Sequence, residues 1–250
     1  MTSSLSDVEA AIANSPGGCT RFFDMAEFPW VKRLEASWLA MRAEVDVLLD
    51  ALDLLPGYED IQIDQRQLST DKRWKIFPLY VHGYDLTQCE RRCPASIEAI
   101  RHIPGLKVAM FSILQAGKAL PPHRGPYSGV LRYHLGLKVP KPETQCGISV
   151  GGDVAHWREG ESLIFDDTHL HHAWNHSQEE RVVLFVDFVR PLPEELAILN
   201  DRVIAEFGES EFITSAVRNW QEWELLHGVS LDRIVQGICL DRAALTATVT

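Results

Sequence analysis

VLRYHLGL (130–137) is the stretch that decides the fold of this chain, and five similar runs accompany it: VAMFSIL (108–114), CGISV (146–150), ESLIF (161–165), HAWN (172–175) and RVVLFVDF (181–188). These short runs are rich in β-branched and aromatic residues, and turns containing glycine, proline or aspartate separate them. Several strands at this spacing indicate an antiparallel sandwich or barrel. The sequence therefore predicts a mainly β core over residues 106–192.

Helical periodicity flanks this core on both sides. Apolar residues recur every three or four positions over residues 28–52, which predicts one amphipathic helix lying against a sheet, and CPASIEAIRHI (93–103) predicts a short helix. RWKIFPLYVHG (73–83) predicts a strand in which Pro78 marks an edge or a break. We expect a single domain over residues 1–250. Its parts are a helical and strand support (1–105) that begins with a loose arm (1–20), the β core (106–192) and a C-terminal helical extension (193–250).

Composition limits the classes of partner. The chain has 250 residues with 46% hydrophobic and 24% charged side chains, which are the fractions of an ordinary globular protein. Its net charge of −11 argues against nucleic acid or an anionic membrane as the main partner. Neither a bilayer-spanning run of about 20 apolar residues nor a signal sequence is visible, so we expect a soluble cytoplasmic protein. Five scattered cysteines predict free thiols rather than a zinc site.

Two histidines are candidate metal ligands. His123 follows two prolines and is predicted to lie on a rigid turn just before VLRYHLGL, and His171 belongs to the cluster DDTHLHH (166–172). Imidazole suits iron, and histidines at separate strand ends can share one ion. Asp166 and Asp167 are expected to cap the turn or to orient a ligand imidazole, rather than to bind metal themselves.

Three basic side chains predict an anion site. The two-residue period of a strand puts Arg132 and His134 on one face, and Arg181 follows ten positions after the second candidate ligand. A buried guanidinium needs an anionic partner, and arginine matches a carboxylate with two parallel hydrogen bonds. The alternative for each arginine is a structural ion pair with an acid such as Asp166 or Asp187. The sequence leaves both possibilities open.

The stretch from about Trp74 to Pro191 resembles the aspartyl/asparaginyl β-hydroxylase family of iron(II)- and 2-oxoglutarate-dependent oxygenases. It is more similar to the bacterial branch, which includes the lipid A acyl-chain 2-hydroxylase, than to the vertebrate enzyme. The motifs that carry the resemblance are FPWV (28–31), RWK (73–75), MFS (110–112), HRGPYSG (123–129), LRYHLGL (131–137), HWREGES (156–162), FDD (165–167) and ERVVLFVDF (180–188).

The resemblance implies a fold, cofactors and residue roles. The implied fold is a double-stranded β-helix (jelly-roll or cupin-like) with flanking N- and C-terminal helices, and the implied cofactors are Fe(II), 2-oxoglutarate and O2. His123 and His171 would bind the metal, with His169 a weaker candidate, and Arg181 would hold the distal carboxylate of 2-oxoglutarate. The other implied residues are cosubstrate-binding Ser112, Arg132 and His134, and Trp74 and Trp174, which would line the pocket unless they serve core packing.

Gly125 determines which reaction is expected. A site with two histidines and one carboxylate has His-x-Asp at this turn, whereas this chain has glycine two residues after His123. With water in the free position we expect hydroxylation of an amino acid, a small peptide or a biosynthetic intermediate, with release of succinate and CO2. With chloride there, halogenation is the alternative, and a non-catalytic binding module is a third. Glycine can also meet a need for positive φ. The lack of a membrane span argues against a bilayer-presented lipid A substrate, and the C-terminal helices are expected to cover the pocket or to form a homodimer.

Overall fold

Nine strands form two antiparallel sheets in the computed structural model, which describes residues 5–247 and the side chains up to residue 237. The strands are β1 (Trp74–Val81), β2 (Leu106–Leu114), β3 (Ala119–His123), β4 (Val130–Lys138), β5 (Cys146–Val150), β6 (Asp153–Ala155), β7 (Ser162–Phe165), β8 (His171–Asn175) and β9 (Arg181–Val189). The larger sheet has the order β1-β2-β9-β4-β7, and the smaller sheet has the order β3-β8-β5-β6. Because the chain alternates between the two sheets, the predicted jelly-roll core is confirmed.

Eight α-helices surround this core in the part of the chain that the structure describes. They are α1 (Leu5–Ala13), α2 (Val31–Ala36), α3 (Trp38–Leu49), α4 (Tyr58–Ile61), α5 (Thr87–Arg92), α6 (Pro94–Ile100), α7 (Glu194–Gly208) and α8 (Glu211–Ala247). Short 3-10 helices occupy Met25–Glu27, Ile63–Leu68 and Glu143–Gln145. The predicted flanking helices are thus present at both ends of the core.

The larger sheet has two chemically different faces. Tyr133 of β4 points outward and is fully buried, with its ring 5.2 Å from that of Trp30 and with α3 packed beside its strand. Arg132 and His134 point inward, as the two-residue period predicts. Toward β1 and β2 this inner face lies under α4, the Ile63–Leu68 helix, α7 and the start of α8, and an apolar slot remains between the layers.

The N-terminal residues are an integral part of the domain. In α1, Val8 and Ile12 lie four residues apart on one face and are buried together with Tyr127 and Ile204. This face packs against α7. The prediction of a loose arm over residues 1–20 was therefore wrong, although residues 1–4 lie outside the described part of the chain.

Residues 28–52 hold two helices where the sequence predicts one. Between α2 and α3, the hydroxyl of Ser37 donates a hydrogen bond of 3.1 Å to the carbonyl of Arg33. Such local side-chain-to-backbone bonds compete with the helical ladder and bend helices. The prediction of one continuous helix was wrong, while its packing against the sheet is confirmed by the contact between α3 and β4.

The sequence predicted all but two of the strands, and it also predicted the irregularity at Pro78 in β1. Strands β3 and β6 were not predicted, because β6 has three residues and β3 contains Pro121 and Pro122, which weaken any strand signal. In contrast, β1 is an edge strand of its sheet and has an irregularity between Pro78 and Tyr80, as the position of the proline predicts.

Two further expectations concern membranes and thiols. Among the described residues, no helix combines the length and the apolar character that crossing a bilayer requires. Cys89, Cys93 and Cys146 are buried free thiols and Cys19 is an exposed one, as expected, whereas the side chain of Cys239 lies outside the described residues.

Candidate active site

The two candidate metal ligands lie side by side. His123 ends β3 and His171 begins β8, the two residues are paired across these strands, and their ring centroids are 4.1 Å apart. His123 therefore belongs to a strand end rather than to the turn before β4. The pairing of β3 with β8 is what brings together two histidines that are 48 positions apart in the chain.

Both imidazoles are in the state that binds a metal. Nδ1 of His123 lies 2.8 Å from the carbonyl oxygen of Pro121, and Nδ1 of His171 lies 3.0 Å from that of His169. Because a carbonyl can only accept, each Nδ1 must donate, and each Nε2 keeps its lone pair. Burial lowers the pKa of His123 and lowers that of His171 to about 3, so both rings are neutral at pH 7.

The turn before His171 holds that ring in place. The carboxylate of Asp166 accepts hydrogen bonds from the amide and the hydroxyl of Thr168, and it pairs with Arg190. Asp166 thus caps the turn, as the sequence suggested. His169 contributes its carbonyl oxygen to Nδ1 of His171, so the contact that links it to the histidine pair is made by its main chain.

Gly125 makes room for a carboxylate from the turn between β7 and β8. A Cβ atom at Gly125 would lie 2.0 Å from Oδ2 of Asp167, and the amide of Gly125 donates to the carbonyl of Asp167 at 2.7 Å. Gly125 does not have a positive φ. The glycine is therefore required by space rather than by backbone conformation, in contrast to the alternative that positive φ suggested. Asp167 fills the space that a carboxylate at position 125 would need.

Asp167 is an uncommon buried acid. Its Oδ2 lies 2.8 Å from Nη1 of Arg132, yet neither carboxylate oxygen has an aligned hydrogen bond, so their lone pairs stay available. Burial raises the pKa of Asp167 to about 7, and the nearby Asp187 and Asp166 act in the same direction against the opposing charge of Arg132.

Arg132 has the structural ion pair that the sequence left as an alternative. Its Nε and Nη2 donate to the two carboxylate oxygens of Asp187 at 2.8 and 3.0 Å, and Nη1 faces Asp167. The guanidinium also lies over the ring of Phe185, at 4.1 Å from its centroid. Its charge is thus compensated by acids of the protein itself.

Arg181, in contrast to Arg132, has no acidic partner among the described residues. Its side chain is 2% exposed, and none of the described acids forms an ion pair with it. Nη1 donates to the carbonyl of Ser112 at 3.3 Å, Nε has no hydrogen-bond partner, and the guanidinium lies 4.5 Å from the ring centroid of Trp157. Burial lowers the pKa of Arg181 to about 9, which leaves it charged at pH 7. A buried unpaired cation of this kind needs an anion from outside.

Two more donors lie near this cation. Nδ1 of His134 accepts a bond of 3.3 Å from the indole of Trp157, so the proton of this neutral ring is on Nε2, which has no partner. Burial, reinforced by Arg181 and Arg132, holds the pKa of His134 well below its usual range. The hydroxyl of Ser112 accepts from the indole of Trp74 at 3.0 Å and keeps its own proton to donate.

The two predicted pocket tryptophans lie in different places. Trp74 lines the apolar slot, where it stacks on Tyr58 with ring centroids 3.8 Å apart. Trp174 is half-buried on the face of β8 opposite to His171, and a Cβ at Gly147 would lie 2.4 Å from its ring. The structure therefore keeps Trp174 apart from the other candidate residues.

The slot runs from the histidine pair to the helical layer. At one end it reaches His123, Gly125, Arg132 and Asp167. Its walls are largely apolar and include Ile61, Leu68, Ile76, Pro78, Val108, Met110, Phe185, Phe207, Phe212, Ile213, Ala216, Val217 and Trp220. Residues of α7 and α8 line the slot, as expected for C-terminal helices that cover the pocket. No role was predicted for Trp157, because its partners are distant in the chain.

Comparison with known proteins shows the family to which this chain belongs. The family model described as aspartyl/asparaginyl beta-hydroxylase matches residues 35–191. The chain belongs to this family. It is 46% identical over 202 residues to the ornithine lipid ester-linked acyl 2-hydroxylase of Rhizobium tropici, covering 81% of this chain and 72% of that protein. Membership of this hydroxylase family makes the chain an oxidoreductase.

More distant relatives show how little of their length is shared. The aspartyl/asparaginyl beta-hydroxylase of Mus musculus is 30% identical over 166 residues, covering 64% of this chain but only 22% of that protein. Among solved structures, the Cnp3 cupin domain of Schizosaccharomyces pombe is 11% identical, with a TM-score of 0.35, and covers 54% of this chain and 73% of that one.

The contact between Gly125 and Asp167 can be tested with a double-mutant cycle. Gly125→Ala is expected to lower the free energy of unfolding by about 1–3 kcal/mol, because the added methyl group overlaps the carboxylate. In Gly125→Ala with Asp167→Ala that overlap is gone, so the two changes together should cost less than their sum by about 1 kcal/mol or more. Urea unfolding measures each value.

A matched glycine serves as the control for this cycle. Gly237 lies in α8 with open space around its Cα, so Gly237→Ala should stabilise the protein by up to about 1 kcal/mol. Strict additivity of the changes at positions 125 and 167 would contradict the proposed overlap.

Proposed function

We propose that this protein is an Fe(II)- and 2-oxoglutarate-dependent dioxygenase that hydroxylates a C–H bond in the acyl chain of an amphiphilic lipid. The observation that carries the proposal is the buried, unpaired guanidinium of Arg181, which lies close to the free donors of Ser112 and His134. Such a set fits the carboxylates of a small dicarboxylic acid. The paired histidines supply the neighbouring metal position.

The donor set fits a divalent iron ion with open coordination positions. His123 and His171 would bind it through Nε2, and their Nδ1 atoms are already held by carbonyl groups that fix the ring orientation. No group of three or more His, Cys, Asp or Glu side chains among the described residues has metal-holding geometry, so we propose two protein ligands. The unaligned oxygens of Asp167, beside Gly125, would then accept hydrogen bonds from water at the open positions.

The residues of the anion site have separate tasks. We assign the distal carboxylate of 2-oxoglutarate to Arg181 and Ser112, and a second polar contact to the Nε2 proton of His134. Arg132 is already engaged by Asp187, so its task is to hold Asp167 rather than to carry the cosubstrate alone. When bound, iron and 2-oxoglutarate supply the activation of O2: one oxygen atom enters the substrate C–H bond, the other enters succinate, and CO2 is released.

The slot supports an acyl substrate over an amino acid. A free amino acid needs partners for its ammonium and carboxylate groups, whereas the walls beyond the histidine pair are aromatic and aliphatic. An alkyl chain lying there gains the free energy of apolar burial, about 0.8 kcal/mol for each buried CH2 group. The name of the relative from Rhizobium tropici indicates an acyl substrate for that protein. We therefore replace the expectation of an amino acid or peptide by an acyl chain.

The structure gives no support to the halogenase alternative. Chloride beside Gly125 would lie against the carboxylate of Asp167, which occupies that space. An anion next to the ionised acid is repelled, and because burial raises the pKa of Asp167, chloride would have to bind together with a proton on this carboxylate. Water, which can donate to this carboxylate, fits the same position.

Turnover with and without chloride tests the proposal. The protein would be loaded anaerobically with Fe(II) and 2-oxoglutarate, mixed with detergent-dispersed acyl lipids and exposed to O2. We expect equal amounts of succinate and of a product that has gained one oxygen atom, whether or not chloride is present. A chlorinated product would establish halogenation instead. Absence of 2-oxoglutarate consumption with every acyl lipid, while 2-oxoglutarate still binds, would favour a binding module.

The slot also predicts a dependence on chain length. Ala216 is a small residue of α8 that lines the slot, so Ala216→Phe should fill part of it. Turnover of long acyl chains is expected to fall about tenfold, which corresponds to the loss of one to two buried CH2 groups. Short chains should be affected about twofold at most, and the KM for 2-oxoglutarate should not change.

The control for this variant lies on the opposite face of the same helix. Val229 is 65% exposed, and Val229→Phe adds similar bulk without entering the slot. Its chain-length profile should match that of the wild type. If Ala216→Phe slows short and long chains equally, the acyl chain does not lie along α8.

A further inference from the structure

Trp157 contacts both halves of the anion site with a single side chain. It lies between β6 and β7, is 1% exposed and is among the largest fully buried side chains. Its ring face supports Arg181, and its ring nitrogen donates to His134. Trp157 neither contacts the histidine pair nor lines the slot, although it is as deeply buried as any residue in the site.

The face of the indole is the principal support for the charge of Arg181. The guanidinium lies 4.5 Å from the ring centroid, and its protein hydrogen bond goes to a neutral carbonyl, that of Ser112. Cation–π attraction is strongest when both partners are removed from water, as here. Stacking also fixes the plane of the guanidinium, so that Nε, which has no partner, keeps a defined direction.

The edge of the indole determines where the proton of His134 lies. An indole N–H can only donate, so the bond of 3.3 Å to Nδ1 makes that atom an acceptor and leaves the proton on Nε2. Without this bond, the proton could occupy Nδ1 instead. Nε2 would then present a lone pair to an anion, which repels it, in place of a donor, which binds it.

We propose that Trp157 is a positioning residue for the cosubstrate: one indole fixes the orientation of the Arg181 cation and the tautomer of His134, so that both present donors to the same carboxylate-bearing ligand. This inference rests on the proposed function, because the ligand is 2-oxoglutarate. It assigns to Trp157 an effect on cosubstrate affinity, with no contact to the acyl chain.

The chain around Trp157 is held independently of the indole. Nδ1 of the preceding His156 lies 2.8 Å from the carbonyl of Cys146. On the other side, the carboxylate of Glu159 accepts from Arg42 and from the amide of Val139. Because these contacts remain in a variant, replacement of the indole is expected to leave the backbone in place.

Three variants separate the two tasks of the ring. Trp157→Phe keeps an aromatic face and removes the N–H group, whereas Trp157→Leu removes both. Trp174→Phe is the matched control, because Trp174 lies on the opposite face of β8 from the histidine pair. The dissociation constant of 2-oxoglutarate is measured by anaerobic calorimetry with Mn(II) as the metal, and the tautomer of His134 by nitrogen-15 NMR of the ligand-free protein.

We expect the loss of 2-oxoglutarate affinity to be larger in Trp157→Leu than in Trp157→Phe. Trp157→Phe should weaken 2-oxoglutarate binding about tenfold, as loss of one buried hydrogen bond implies, and should shift the proton of His134 partly to Nδ1. Trp157→Leu should weaken binding about a hundredfold, because the cation–π contact is lost as well. At saturating 2-oxoglutarate, Trp157→Phe should keep its kcat and its KM for the acyl substrate, and Trp174→Phe should resemble the wild type throughout.

Other outcomes would overturn the inference. If wild-type protein binds 2-oxoglutarate, and Trp157→Phe neither weakens binding nor changes the tautomer of His134, Trp157 serves packing alone. If the wild type does not bind 2-oxoglutarate, the proposed function fails and this inference fails with it. Should Trp157→Phe not fold, site-specific benzothienylalanine at position 157 removes the N–H group while keeping the shape, and the same two measurements apply.

Discussion

The unpaired charge of Arg181, buried inside the jelly roll, is the constraint on which the rest of the site depends. An isolated guanidinium away from water costs free energy that neither a carbonyl hydrogen bond nor an aromatic ring fully offsets. The fold tolerates this cost because β9 and its neighbours form a continuous hydrogen-bonded sheet around it. The same sheet places Ser112 and His134 where their remaining protons face the interior. A dicarboxylate would neutralise the cation and complete these contacts.

Two arginines with the same sequence pattern illustrate what sequence can and cannot predict. Arg132 and Arg181 both lie in inward-facing rows of a strand, and the sequence offered each either a ligand or an acid partner. Arg132 meets Asp187 directly across the ladder between β4 and β9, whereas Arg181 has Leu114 opposite. The register between strands therefore determines which arginine has an acidic partner, and this register is set by the whole sheet rather than by either segment.

The core itself was predictable because its signal is local. Strand period and turn residues predicted seven of the nine strands, and the family motifs predicted the jelly roll. The role of Gly125 was not predictable, since the carboxylate that needs its space belongs to Asp167, 42 positions later. The apolar walls of the slot were not predictable for the same reason: α8 closes it against β1 and β2, a contact between the end of the chain and its first half.

These long-range contacts also connect the histidine pair to the slot. The carboxylate of Asp167 lies where the histidine pair, Gly125 and the slot meet. An acyl chain lying in the slot would therefore reach the proposed metal position beside Asp167, which Arg132 holds. The proposed cosubstrate donors lie on the adjoining part of the same inner face. Burial of an acyl chain and of the cosubstrate in one apolar layer would exclude bulk water from the reaction.

The stability of Arg181→Met in the ligand-free state is the most direct measurement of this arrangement. If Arg181 is an uncompensated cation kept for a ligand, its replacement should raise the free energy of unfolding at pH 7 by about 1–3 kcal/mol. It should also abolish the additional stability that 2-oxoglutarate gives the metal-loaded wild type. An Arg181→Met protein that is less stable than the wild type, and that 2-oxoglutarate still stabilises, would contradict it.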